Sequence, residues 1–313
     1  PSKVCFWSFG INPNPMISNK ILLLLFILSS LSYGSSCKAQ DAGLVASGAT
    51  LELLSDKFAF SEGPTANAAG EVYFTDQPNN RIWKYDLQGQ LTLFKSPAGR
   101  ANGMFFDEHD QLYVCADEHN ALWRIDASGQ VDTLLQAYQD TVLNGPNDVW
   151  VAKGGNLYFT DPYYQRSYWE RQQADLAVEA VYMRTKDGQL RRVAGDFERP
   201  NGIVGSLDGK YLYVADRKAN KTYRYTFDAA GQPINRTFFV AYGSDGMTVD
   251  AAGNVYLTDN GVQVFNPAGE RIAHIVVPTQ TTNVCFAGKD KNILFITAAQ
   301  HVYTLQMAVR GVL

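Results

Sequence analysis

Glu71-Val-Tyr-Phe-Thr-Asp76 is an apolar, aromatic run that stops on a threonine and an acid, and five further stretches follow the same plan. They are Gln111-Leu-Tyr-Val-Cys-Ala-Asp117, Asn156-Leu-Tyr-Phe-Thr-Asp161, Tyr211-Leu-Tyr-Val-Ala-Asp216, Asn254-Val-Tyr-Leu-Thr-Asp259 and Asn292-Ile-Leu-Phe-Ile-Thr-Ala298. Their ends are spaced 41, 44, 55, 43 and 39 residues apart. Repeats of this period mark propeller blades, each a four-stranded sheet that buries its faces only against its neighbours. Outward from each repeat, one strand (A) precedes it after a polar dipeptide such as Asn102-Gly103 or Asp245-Gly246. Another (C) follows it, as in Arg81-Ile-Trp-Lys-Tyr-Asp86 and Leu122-Trp-Arg-Ile-Asp126, where apolar and polar residues alternate with the period of two that a strand requires. A Gly-containing turn then leads to a fourth (D), for example Gln130-Val-Asp-Thr-Leu-Leu135. The predicted fold is all-β: a six-bladed β-propeller with four-stranded blades.

The sixth repeat ends after strand C, and Thr50-Leu-Glu-Leu-Leu-Ser55 reads as a strand D with no A, B or C before it. Pairing the two removes two open sheet edges. The sequence therefore predicts that the N-terminal strand completes the last blade and closes the ring.

Composition agrees with one large globular domain over residues 41–313: of 313 residues, 46% are hydrophobic and 26 are Gly. A net charge of −4 and no Lys/Arg cluster give no electrostatic footprint for nucleic acid. Residues 1–40 read differently. Met16 is expected to be the natural start, with residues 1–15 upstream of it. Lys20 and the apolar run 21–28 read as a signal peptide too short to span a membrane. Gly34-Ser35-Ser36-Cys37 resembles a lipoprotein cleavage box, with ordinary cleavage near Ala39 as the alternative. The expectation is export to the periplasm or lipid anchoring at a bacterial envelope; the membrane enters only through that anchor. Cys115 and Cys285 sit in apolar strand runs and are expected to be buried free thiols.

At the head of each strand A stand Glu62, Asn102, Asn147, Asn201, Asp245 and Asn283, each 14 or 15 residues before the end of its strand B. Strand A lines a propeller's channel, so six equivalent positions form a ring of two carboxylates and four carboxamides at one mouth. Taken singly, Asn-Gly and Asp-Gly pairs are ordinary turn formers, and for Asn102 and Asn283 that reading stays open. Glu62 is a poor turn residue at an equivalent place. Oxygen donors of this kind suit a hard divalent cation, and the ring holds no His or Cys to suggest a zinc site. Calcium (Ca2+) leads; magnesium, manganese and zinc are the alternatives.

The loops from B to C open on the same face. The third runs from Asp161-Pro-Tyr163-Tyr164 to about Glu179 and carries its own aromatics. It reads either as a lid over the mouth or as an insertion packed on a neighbouring blade. Asn102, Glu118, His119, Asp161, Tyr163 and Tyr164 are the candidate substrate contacts.

Ser61-Glu62-Gly63-Pro64, Asn144-Gly-Pro-Asn147-Asp148-Val149, Thr160-Asp161-Pro162-Tyr163-Tyr164, Arg199-Pro200-Asn201-Gly202 and Ser244-Asp245-Gly246-Met247, in this order, resemble the SMP-30/gluconolactonase/luciferin-regenerating family over residues 50–310. The resemblance implies a six-bladed propeller with a calcium-type cation in its channel. It implies Glu62, Asn147, Asn201 and Asp245 as metal-site residues and Asp245 also as general base. Asn102 is outside that set. Gly145 stands where some animal members carry Arg.

The activity so implied is hydrolysis of a small lactone, such as a sugar lactone to its aldonic acid. A calcium-dependent phosphotriester or aryl-ester hydrolase and a non-catalytic ligand-binding propeller are the alternatives, because fold alone does not fix chemistry. No Gly-x-Ser-x-Gly elbow, His-Glu-x-x-His or phosphate-cradling loop supports another route. The sequence gives no reading of oligomeric state.

Overall fold

The computed structural model describes residues 43–311. The signal-peptide and lipoprotein-box readings, with Cys5 and Cys37, lie outside the described residues.

The repeated segments form strand B of six antiparallel four-stranded sheets: Val72–Asp76, Leu112–Ala116, Leu157–Asp161, Tyr211–Asp216, Val255–Asp259 and Ile293–Ala298. Before them run the A strands, Ser61–Ala66, Ala101–Phe106, Val149–Val151, Pro200–Gly205, Met247–Val249 and Asn283–Ala287. Strands C and D follow in each of the first five sheets, as in Arg81–Tyr85 and Leu91–Lys95 of blade one. Strand A of each blade touches strand A of the next, and that of the sixth touches that of the first. Six sheets in mutual contact through their first strands can only radiate from a common centre.

The ring closes as expected. Glu52–Ser55 pairs antiparallel with His301–Gln306, with Leu53 opposite Tyr303, and so supplies the fourth strand of blade six. Further bonds bind the two ends of the domain: Ala46 N donates to Gln306 O (3.1 Å) and Ala308 N to Leu44 O (2.8 Å).

The B strands are buried on both faces, which is why they read as near-continuous apolar runs. Strand D, at the rim, alternates between half-buried and exposed. Aromatics fill the wedges between blades, as where Trp150 and Tyr158 of blade three pack on Phe227 of blade four with ring centres 6.3 and 5.5 Å away. Cys115 and Cys285 are free and buried, as expected.

The boundaries of strand A differ from the sequence reading. Glu62, Asn102 and Asn201 are the second residue of their strands and Asn283 the first, whereas Asn147 and Asp245 precede short three-residue strands. In the first, second and fourth blades the register slips directly after the ring position, between Glu62 and Thr65, Ala101 and Met104, and Pro200 and Ile203. Such a bulge re-aims a side chain that would otherwise follow the pleat. The hairpin Ala137–Tyr138/Thr141–Val142 and the short 3-10 turn Asp117–His119 carry no repeat signal and were not foreseen.

Candidate functional site

The six ring positions are brought together at one end of the channel, and the residues behind them explain how. Each ring Gly packs against the next blade. A Cβ on Gly63 would collide with the Asn102 carbonyl, one on Gly103 with the Asp148 carboxylate, and one on Gly246 with the Asn283 carboxamide. Gly103 N also donates to Asn147 O at 2.7 Å. The Asn-Gly and Asp-Gly pairs are therefore explained by the close approach of successive blades, rather than by turns.

Threonine at the end of strand B holds the ring from behind. Asp148 N donates to Thr160 Oγ1 (3.1 Å), Gly246 N to Thr258 Oγ1 (2.9 Å) and Asn283 N to Thr297 Oγ1 (3.0 Å). The acid that follows works on the chain entering strand A. Asp76 accepts from Ala59 N and Phe60 N, Asp161 from Asn144 N and Gly145 N, and Asp216 from Glu198 N and Arg199 N, all within 2.8–3.2 Å. Asp161, expected as a substrate contact, is placed behind the ring instead. Asp161 is fully buried and its carboxylate is committed to main-chain donors. Burial pushes it up to about 7, against those two hydrogen bonds.

Two blades break this rule in the same way. In blade two, Asn80 of the preceding blade caps Ala98 N and Arg100 N (both 2.8 Å); in blade five, Asn220 caps Gly243 N (2.8 Å). The equivalent acids, Asp117 and Asp259, then take arginines from an adjacent blade: Arg166 Nε lies 3.0 Å from Asp117 Oδ2, and Arg217 Nη2 lies 3.3 Å from Asp259 Oδ1.

At the ring itself, Glu62 and Asp148 converge with Asp245. Burial pushes Glu62 well above the usual carboxylate range, and the charges of Asp245 and Asp148 push it further. Burial raises Asp148 to about 8, with Val149 N at 3.0 Å opposing, and raises Asp245 to about 6, with Arg217 opposing. Asp148 occupies no repeated ring position; in the sequence it is marked only by following the ring residue Asn147.

Two of the carboxamides are oriented by their amino groups. Asn201 Nδ2 donates to Asp245 Oδ1 (2.8 Å) and to the Tyr164 hydroxyl (3.1 Å), which leaves its Oδ1 free. Asn283 Nδ2 donates to Glu62 Oε1 (3.2 Å), and its own Oδ1 accepts from Val284 N (2.7 Å). Asn283 thus supports Glu62, and its own oxygen is engaged by Val284 N rather than orphaned. Glu62 Oε2, Asn147 Oδ1 and Asn201 Oδ1 are buried and have no hydrogen-bond partner. Orphaned buried acceptors are costly and rare. Three of them beside converging carboxylates are the donor set that a hard, oxygen-loving cation satisfies, so the residues fit the implied metal.

The long third loop packs on blade two and also reaches the ring. The Tyr168 hydroxyl donates to Asp117 Oδ2, and Trp169 Nε1 donates to Asp117 O (3.1 Å). The Trp169 ring lies over Gly145, where a Cβ would come within 2.8 Å of it. Arg171 stacks on Trp169 at 4.1 Å and donates to Leu143 O (3.1 Å). Tyr164 lies between Arg199 (4.5 Å) and Arg166 (5.4 Å) and is the loop's contact with Asn201. Tyr163 stands further out, 6.0 Å from the Trp169 ring.

Asn102 is buried at the ring. Glu118 is taken up by Asn80 Nδ2 (3.1 Å) and Arg100 (3.6 Å), and half-exposed His119 stacks on Trp123. The structure does not bring Glu118 or His119 into contact with a ring residue.

This architecture has known relatives. A gluconolactonase from Zymomonas mobilis is 27% identical over 83% of this chain and 82% of its own length. The structure of a gluconolactonase from Xanthomonas campestris superposes with a TM-score of 0.80 at 29% identity, covering 85% of this chain and 92% of that one. The diisopropyl-fluorophosphatase of Loligo vulgaris is 26% identical over 67% of this chain and 76% of its own. The sequence profile of the SMP-30/Gluconolactonase/LRE-like region matches residues 60–300, the whole span from the first ring residue to the last repeat. The chain belongs to the SMP-30/Gluconolactonase/LRE-like family.

Proposed function

We propose that the protein hydrolyses a small lactone at the channel mouth with the help of one divalent cation. The observation that carries this reading is the set of buried, unpartnered oxygens of Glu62, Asn147 and Asn201 in the ring that also carries Asp245. The relatives named as gluconolactonases supply the reaction class. Glu62, Asn147, Asn201 and Asp245 would hold the cation, with calcium favoured by the all-oxygen donor set. When bound, such an ion supplies Lewis-acid character to the ester carbonyl.

The chain's own residues do the rest. Asp245 takes a proton from water as the hydroxyl adds to the carbonyl carbon, and returns it to the ring oxygen as the carbon–oxygen ester bond breaks. The product is the open hydroxy acid. Asn201 holds Asp245 Oδ1 at 2.8 Å and so fixes the carboxylate for both transfers. Tyr164 and the third loop stand beside this pair and exclude water from one side.

Chelator-treated protein should open a glucono-lactone only after calcium is restored, read as proton release in a weakly buffered assay. Turnover unaffected by chelation would refute the metal-assisted reading. The similarity to a diisopropyl-fluorophosphatase favours a second reading, a phosphotriester hydrolase at the same site. A phosphotriester turned over faster than every lactone in a panel would establish it.

A further inference from the structure

Beside Asp245 lies a cleft of about 360 Å³ whose lining includes Tyr164, Arg199, Arg217, Lys218 and Asp259. Three cations and one carboxylate line it. The acids paired with two of these cations, Glu179 on Arg199 (3.1 Å) and Glu198 on Lys218 (3.5 Å), are not part of the lining. Arg217 reaches furthest toward the ion ring, with Nη2 3.8 Å from Asp245 Oδ2.

The two arginines are held in advance. Arg217 is braced by Asp259, the acid that Asn220 releases from main-chain capping. Arg199 lies over the Tyr164 ring, 4.5 Å from its centre. Yet Nε of Arg217 is buried without a hydrogen-bond partner. Guanidinium forks fixed by their neighbours, with donors to spare, are matched to planar or tetrahedral oxyanions. A neutral polyol offers them only weak acceptors.

We propose that this cleft is an acid-binding subsite of the same active site, so that the preferred substrate is a lactone bearing a second, anionic group, a carboxylate or a phosphate. The inference rests on the lactonase reading and narrows it. With the ester carbonyl at the ion ring, the anionic group lies toward Arg217, and Arg199 and Lys218 supply the surrounding positive field.

The test uses the calcium-loaded full chain and three probes: a neutral hexonolactone, a lactone with a free carboxylate and a phosphorylated hexonolactone. At low salt, kcat/KM should favour at least one acidic lactone over the neutral one by tenfold or more. High salt should reduce that ratio several-fold, and Arg217→Gln and Lys218→Gln should each lower it. The ratio is the readout, because Arg217 also faces Asp245.

Equal kcat/KM for all three probes, or preference for the neutral lactone, overturns the proposal. A binding arm separates its fate from that of the lactonase reading. Calorimetric titration with the opened dicarboxylate and with the neutral sugar's monocarboxylate requires no turnover. If no lactone is hydrolysed but the dicarboxylate binds tenfold more tightly in a salt-dependent way, the subsite stands and the lactonase reading falls. If the two acids bind alike, the subsite falls.

Discussion

Glu62 is the residue that distinguishes this ring from a series of turns. One of its oxygens is held by Asn283 and the other faces inward with no partner, while Asp148 and Asp245 press on it electrostatically. The metal-free protein therefore carries three buried carboxylates that resist ionisation. The folded groups titrate above the unfolded carboxylate range, Asp245 at about 6 and Asp148 at about 8. Between the unfolded and folded values the native state binds more protons, so stability falls as pH rises through that window. In chelator, the melting temperature should drop by about 5 °C or more between about pH 5 and pH 8, and calcium should flatten the dependence; a flat profile in chelator contradicts the account. Asp245→Asn should retain the fold but lose turnover by ~100-fold or more; full activity would remove Asp245 from proton transfer. Tyr164→Phe removes the acceptor that orients Asn201. It should weaken calcium binding by roughly tenfold, as the loss of an outer partner of a metal ligand does, and calorimetry reads it directly.

At the scale of the element, the strands were legible from the sequence and several of the loops were not. Period-two alternation and the repeated strand B located all six blades, because burial on fixed faces leaves that trace in composition. The orphan strand near residue 50 was legible for the same reason. Its pairing with His301–Gln306 makes both ends of the propeller part of one sheet. Deleting residues 41–56 should therefore abolish cooperative unfolding rather than merely shorten the domain; a soluble truncate with a sharp transition would contradict this. Partnering was harder to read. Asp117 and Asp161 close equivalent strands, yet Asp161 caps main chain while Asp117 takes Arg166, Tyr168 and Trp169 from the third loop. The deciding residue is Asn80, in a different blade, and no local pattern in the sequence joins it to Asp117. Asp117→Asn should loosen the loop by about 2 kcal/mol, the worth of a charged hydrogen bond. Limited proteolysis within 162–179 should accelerate, while the global melt changes little. An unchanged cleavage rate would show that the loop is held elsewhere.

For the whole molecule, the propeller sets the first strands of six blades, distant in sequence, in one ring of contacts around a channel. Glu62, Asn147, Asn201 and Asp245 lie in separate blades, and each blade fixes its own member through a Thr or Asp behind the ring. Their convergence was legible because the repeat itself numbers equivalent positions. The role proposed for Arg217 was not, because the position after strand B carries a different residue in every blade and its neighbours Asp245 and Asp259 come from another blade. The most direct measurement is a crystal structure of the protein in calcium, with anomalous difference density calculated at the channel mouth. The account predicts a single peak at about 2.3–2.6 Å from Glu62 Oε2, Asn147 Oδ1, Asn201 Oδ1 and an oxygen of Asp245. No peak there, or one coordinated by other residues, would contradict it.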